Sequence, residues 1–181
     1  MTSQKFHSKI LKEFLKREIG GSKKILDIGC GEGTTAIYLA SFLNCQINGI
    51  DLDKGKIHRA KEKFRKSQKK GIVLCYTCDS RKVNEKFSKN TFDATIIIHA
   101  IHHLVDLREV LLKTKYVLKN GGKLFIGEYE RDYGEKLDNC PRFSNEKIMS
   151  MLKTAGFDDM KNIPIHNNFV MITAKKGGKS I

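Results

Sequence analysis

The chain has no run of about eighteen or more apolar residues, and Met1-Thr2-Ser3-Gln4-Lys5-Phe6-His7 lacks an apolar segment of the secretory kind. Neither a membrane span nor a leader is expected; the reading is a soluble cytoplasmic protein without a membrane partner. Cysteine offers no disulfide framework. The five residues, at 30, 45, 75, 78 and 140, are odd in number and lie mostly within predicted elements and their turns, a usage that suits a reducing compartment. Cys75 and Cys78 have C-x-x-C spacing, but residues three apart on a strand point to opposite faces, so no shared metal or disulfide is expected. Arginine is scarce as well: lysine outnumbers it 27 to 7 in a chain of net charge +14. Since arginine is the better bidentate reader of phosphate and guanine, the charge is a weak argument for nucleic acid. About half of the excess lies in Lys54 to Lys70, where Ile57, Ala60 and Phe64 recur at helical spacing. The basic residues then form the solvent side of a helix that covers a sheet.

Length leaves no room for a second domain: 181 residues at 40% hydrophobic suit one domain with a substantial core. The stretch that organises it is Lys24 to Gly33, KILDIGCGEG, followed by Thr34-Thr35-Ala36. An apolar run, an acid and three alternating glycines ahead of a helix-compatible segment read as strand, tight loop and helix start. Glycine lets the backbone turn sharply and approach a ligand, and the first N–H groups of the helix face the same space. The spacing is G-x-G-x-G, whereas dinucleotide sites use G-x-G-x-x-G with the pyrophosphate on the helix N-terminus, so a dinucleotide-dependent dehydrogenase is disfavoured. A second strand, Gln46 to Asp51, ends in an acid where a βαβ unit meets ribose hydroxyls.

The remaining pattern is α/β. Phe6, Ile10, Leu11, Phe14, Leu15 and Ile19 predict an N-terminal helix stopped by Gly20-Gly21. Thr34 to Leu43 reads as a first crossover helix, and Asp53 as the N-cap of the lysine-rich one. Ile72 to Thr77 is apolar enough to predict a strand covered on both faces. Phe92 to His99, a helix from Asp106 to Leu118, a turn at Lys119 to Gly122 and a strand from Lys123 to Glu128 follow. Residues 129 to 143 read as a loop at a strand's carboxyl end, where long loops are usually functional. Ser144 caps a helix to Ala155, Phe157 to Ile163 and Phe169 to Ala174 form a closing hairpin, and Lys175 onward reads as a basic tail.

In this order ILDIGCGEGT (25–34), GIDLD (49–53), CDS (78–80), FDATIIIHAIHHL (92–104) and LLKTKYVLKNGGKLFIGE (111–128) resemble the class I S-adenosylmethionine-dependent methyltransferases, in particular the small type with a His-rich fourth strand end. The resemblance covers nearly the whole chain from about residue 22. It implies a single methyltransferase domain over 1–181, with an N-terminal helix to residue 20, a catalytic core over 22–176 and a flexible tail over 177–181. The implied fold is a doubly wound, Rossmann-like sheet of about seven strands, mostly parallel, with a terminal antiparallel hairpin. The implied cofactor is S-adenosyl-L-methionine. Asp51, with Leu52 beside it, would take the ribose, Asp79 and the backbone near Ser80 the adenine, and the loop through Asp27, Gly29, Cys30, Gly31 and Gly33 the methionine part. His99 would touch the cofactor. The N-terminal helix commonly covers such a pocket; capping the core is the alternative.

Methyl transfer depends on holding the acceptor in near-attack geometry, and a base is needed only where the acceptor must lose a proton. His103 matches the family's usual histidine and, with His102, is the candidate base or acceptor clamp; the alternative is a wall without proton transfer. No metal is expected, because a strand end turning into a loop gives three histidines no fixed face. Glu128, Tyr129 and Tyr133 could hold a cationic amine. The tetrapeptide of exocyclic-nitrogen base methyltransferases is missing, and Cys140-Pro141 reverses the Pro-Cys nucleophile of the pyrimidine carbon-5 enzymes. The acceptor is expected to be a small molecule, with an RNA or protein acceptor, or a non-catalytic cofactor-binding protein, as alternatives; oligomeric state stays open.

Overall fold

A computed structural model describes residues 3–67, 71–166 and 168–178. Seven strands among them, β1 Lys24–Ile28, β2 Gln46–Asp51, β3 Ile72–Thr77, β4 Phe92–Ile98, β5 Leu118–Tyr129, β6 Phe157–His166 and β7 Phe169–Lys176, form one sheet in the order β3-β2-β1-β4-β5-β7-β6. β1 to β5 run parallel, whereas β7 pairs antiparallel with both β5 and β6. The helices are α1 Ser3–Ile19, α2 Thr34–Ala40, α3 Lys54–Arg65, α4 Val83–Lys86, α5 Leu107–Val117, α6 Arg131–Asp138 and α7 Asn145–Thr154. This is the doubly wound α/β sheet expected. Strand order reverses between β1 and β4, and ligands of such sheets bind beyond the carboxyl ends at that point.

The central strands are apolar on both faces because both are covered. Ile25 belongs to a cluster with Leu15, Leu39 and Ile57 from α1, α2 and α3, while its neighbour Leu26 belongs to another with Val83, Leu111 and Leu152 from α4, α5 and α7. Burying each such side chain contributes about 1.5–3 kcal/mol. A slip of one residue would exchange the two sets, so register is firmly specified. Asp93 pins it further, its Oδ2 accepting from the backbone of Lys23 and Lys24 at 2.9 and 2.8 Å and its Oδ1 from Lys119 Nζ at 2.6 Å. The described part of α1 caps the core: Phe14 packs edge-on to Phe125, and Glu18 meets Lys123 Nζ at 3.2 Å. The side chain of Phe6 lies outside the described residues.

Four elements depart from the sequence reading. β3 lies at one edge of the sheet and one of its faces is open: Ile72 and Leu74 are exposed while Val73 and Cys75 are buried. The turn predicted at 119–122 is a bulge inside β5, where pairing jumps from Phe92–Leu118 to Ala94–Lys123 and Gly121 takes φ 73°. The segment expected as a loop from Tyr129 contributes Tyr129 to β5 and then folds as α6. The tail begins later than Lys175. Lys176 ends β7 with its ammonium largely buried, donating to Leu118 O at 2.7 Å and Asn90 Oδ1 at 2.8 Å. Residues 179–181 of the expected tail lie outside the described residues.

Candidate functional site

A cleft of about 750 Å³ opens over the carboxyl ends of β1 to β4, within the roughly 300–1,000 Å³ of ligand sites. Its floor is the glycine loop. Gly29, Gly31 and Gly33 all have φ between 53° and 76°, a region that costs other residues about 1–2 kcal/mol. A Cβ on Gly29 would stand 2.5 Å from that of Ala100, and one on Gly33 would press on Ala60 of α3 at 3.1 Å. At Gly31 it would meet nothing. Two of these glycines therefore serve packing, whereas Gly31 leaves space on the cleft side. Gly29 and Gly31 line the cleft; Asp27, Cys30 and Gly33 stand behind it. The Cys30 side chain turns into the core against Gly49 and Cys75, and its hydrogen bond with Cys75, then burial, push its thiol far above the ordinary range. Only its backbone is available to the cleft, and that N–H is given to Ile50 O at 3.0 Å.

Asp51 organises the β2 side. Its Oδ2 accepts from the N–H of Gly31 at 2.9 Å and its Oδ1 from that of Asp53 at 2.9 Å, locking the glycine loop to the start of α3. Each oxygen keeps a further lone pair for the cleft. Asp53 in turn accepts from Lys56 N, as the expected N-cap of α3. Leu52 is 70% exposed and Val105 67%, and both line the cleft mouth. Asp79 and Ser80 line the β3 side, where the Arg81 guanidinium forks onto both oxygens of Asp79 at 2.5–3.1 Å. That hydrogen bonding holds the Asp79 carboxyl below its usual range. Arg81, with only its neighbour Asp79 as a signal, was missed by sequence reasoning.

On the β4 side the three histidines have three different surroundings. His99 leaves the strand with φ 52°, donates its N–H to Gly127 O, and lays its ring beside Tyr129 and Phe169 at 5.1 and 4.9 Å. Such a conformation costs a non-glycine residue about 1–3 kcal/mol and gathers at functional sites. Within the loop expected after β4, residues 101–103 form a 3-10 turn. His103 faces the cleft, but His102 does not line it. The His102 side chain is 3% exposed, with Nδ1 2.5 Å from Glu128 Oε2. Glu128 is buried too, its Oε1 accepting from Tyr129 N at 2.8 Å and from Arg142 Nε at 3.3 Å. The acid read as a holder of cationic amines is thus already engaged by a buried arginine fourteen positions on.

The described methyltransferase domain family matches residues 26–126 of the chain. The chain belongs to this methyltransferase family. An O-methyltransferase of Penicillium expansum is 25% identical over 177 residues, which cover 89% of this chain and 63% of that protein. The 24-methylenesterol C-methyltransferase 3 of Arabidopsis thaliana is 30% identical over 175 residues, covering 96% of this chain and 46% of that one. The chain spans 63–65% of the length of two fungal O-methyltransferases that it matches, those of Penicillium expansum and Aspergillus sclerotiorum. In fold it resembles a methyltransferase from Aquifex aeolicus, with a TM-score of 0.78 at 22% identity and coverage of 93% and 97%. The methyltransferase match ends at Ile126, so α6, Cys140 and Arg142 lie beyond it. The family motifs therefore gave no signal for the Glu128–Arg142 pair.

Proposed function

We propose that the chain binds S-adenosyl-L-methionine in this cleft and transfers its methyl group to a small-molecule acceptor. The observation that carries the reading is Asp51: a carboxylate at the end of β2, beside the switch point, tied to the glycine loop with lone pairs left toward the cleft. The chain's own residues fit the cofactor. Gly31 leaves open the space that any side chain would fill. Behind it, Oδ2 of the buried Asp27 has no hydrogen-bond partner among the described residues, the kind of orphaned polar atom that a bound group can satisfy. The exposed Leu52 and Val105 offer apolar surface to a purine.

S-adenosylmethionine, when bound, supplies a methyl carbon activated by positive sulfur for in-line displacement. Asp51 accepts the ribose hydroxyls, and Asp79 accepts the adenine amino group once Arg81 yields one carboxylate oxygen. Ser80 stands beside it. Gly29 and Gly31 present backbone to the methionine part, Cys30 and Gly33 shape the loop behind them, and Asp27 lies beneath the positive charge. His99 closes the cofactor side, where its constrained backbone fixes the ring. His103 faces the acceptor and can hold or accept its proton; His102 acts behind it, as a wall and through Glu128. A small acceptor is supported by relatives named as O- and C-methyltransferases. An RNA acceptor is the alternative because Lys56, at the start of the basic α3, lines the cleft.

Isothermal calorimetry with S-adenosylhomocysteine tests the cofactor reading. We expect one site, weakened at least about tenfold by Asp51→Ala, the size of a lost hydrogen bond to a charged group. Absence of binding, or binding indifferent to Asp51→Ala, overturns the reading. RNA binding that weakens steeply with added salt would move the acceptor from small molecule to RNA.

A further inference from the structure

Methyl transfer leaves one feature of the acceptor side unused. Glu128 occupies Nδ1 of His102, and Nε2 of that ring is buried with no hydrogen-bond partner among the described residues. Most buried side-chain nitrogens have a hydrogen-bond partner, so an orphaned one calls for an explanation. One donor atom from each of His102, His103 and Cys140 lies within 4.8 Å of the other two, although Cys140 comes from beyond α6.

We propose that His102, His103 and Cys140 bind a zinc ion at the acceptor wall of the cleft. Two imidazoles and a thiolate are a borderline-soft donor set suited to Zn²⁺. Tetrahedral bonds of about 2.0–2.3 Å place donors about 3.3–3.7 Å apart. The present spread closes to that by small rotations of His103, which is exposed. The surroundings are those of a supported site. Glu128 on Nδ1 fixes the orientation of the His102 ring, as the outer carboxylate of a histidine–metal pair does. Arg142 bridges the halves, giving Nη1 to Cys140 O at 3.2 Å and Nε to Glu128. Binding releases the Cys140 thiol proton to solvent. Three protein ligands leave a fourth position, and His103 lines the cleft, so an acceptor oxygen or sulfur could take it. That last step rests on the methyltransferase reading; metal binding does not.

Chelator-stripped protein titrated with Co²⁺ without oxygen provides the test. Expected are one equivalent bound, the visible bands of tetrahedral cobalt, a thiolate-to-cobalt charge-transfer band, and displacement by Zn²⁺. Cys140→Ser, at a half-buried position, should abolish the charge-transfer band without disturbing the circular dichroism. Glu128→Gln should lower Co²⁺ affinity about 10–100-fold. A spectrum that does not saturate, or a charge-transfer band that survives Cys140→Ser, overturns the proposal. Calorimetry with S-adenosylhomocysteine on the same metal-free protein separates this failure from failure of the cofactor reading.

Discussion

Arg142→Ala is expected to destabilise the protein by about 3–5 kcal/mol, the cost of removing one partner from a buried ion pair. Both side chains of the pair are nearly sealed, Arg142 3% and Glu128 2% exposed. The aliphatic part of Arg142 also fills the space above Gly134, where a Cβ would stand 2.4 Å from its Cδ. The substitution therefore opens a void beneath α6 while leaving the Glu128 charge inside. Urea denaturation should show a lower midpoint at unchanged slope. Amides of residues 130–143 should lose hydrogen-exchange protection before those of the sheet, because the arginine joins α6 and the Cys140 segment to the end of β5. Arg131→Ala is the control: its pairing with Asp132 is solvent-exposed, 54% and 82%, and such pairs contribute little. A midpoint no lower for Arg142→Ala than for Arg131→Ala would sink the account.

The same pair marks where sequence reasoning stopped. Strands β1, β2 and β4, the cap at Asp53 and the convergence of Asp51 with the glycine loop were legible because each rests on local pattern: alternation, spacing and short-range capping. Which faces would be covered was less so. Ile72 to Thr77 reads as a doubly buried strand, yet Ile72 and Leu74 face solvent at the edge, since apolarity of a strand does not reveal its place in the sheet. Gly121 looked like a turn because a left-handed glycine serves a bulge within β5 equally well. Glu128 and Tyr129 looked like a substrate clamp because the arginine that occupies the acid follows after α6, in a stretch without motif or period. The histidine cluster was legible as chemistry but not as geometry: adjacent in sequence, His102 points to Glu128 and His103 to the cleft.

Asp27→Asn is expected to stabilise the free protein and to weaken cofactor binding, two effects of opposite sign from one carboxyl. Asp27 is 2% exposed at the end of β1, and burial, then repulsion from Cys75 and Asp51, pushes its carboxyl well above the usual carboxylate range. In the unfolded chain it titrates near ~3.9. A raised folded value means that folding favours the protonated form. That contribution is complete below about pH 4 and is lost as pH rises through the folded-state value. Asparagine has no such dependence, so the gap in Tm between variant and wild type should open as pH is raised from about 4. Its size should be that of an unsatisfied buried group, about 1–3 kcal/mol, or roughly 2–12 °C for a chain of this length. Affinity for S-adenosylmethionine should meanwhile fall about 10–100-fold, since the positive charge of the bound cofactor favours the ionised Asp27 and an amide cannot supply that anion. Differential scanning fluorimetry across pH and calorimetry with the cofactor measure the two halves. A pH-independent gap would remove the titration argument. A rise in Tm without loss of affinity would place Asp27 in the wall of the β1 loop alone, with its open oxygen turned away from any ligand.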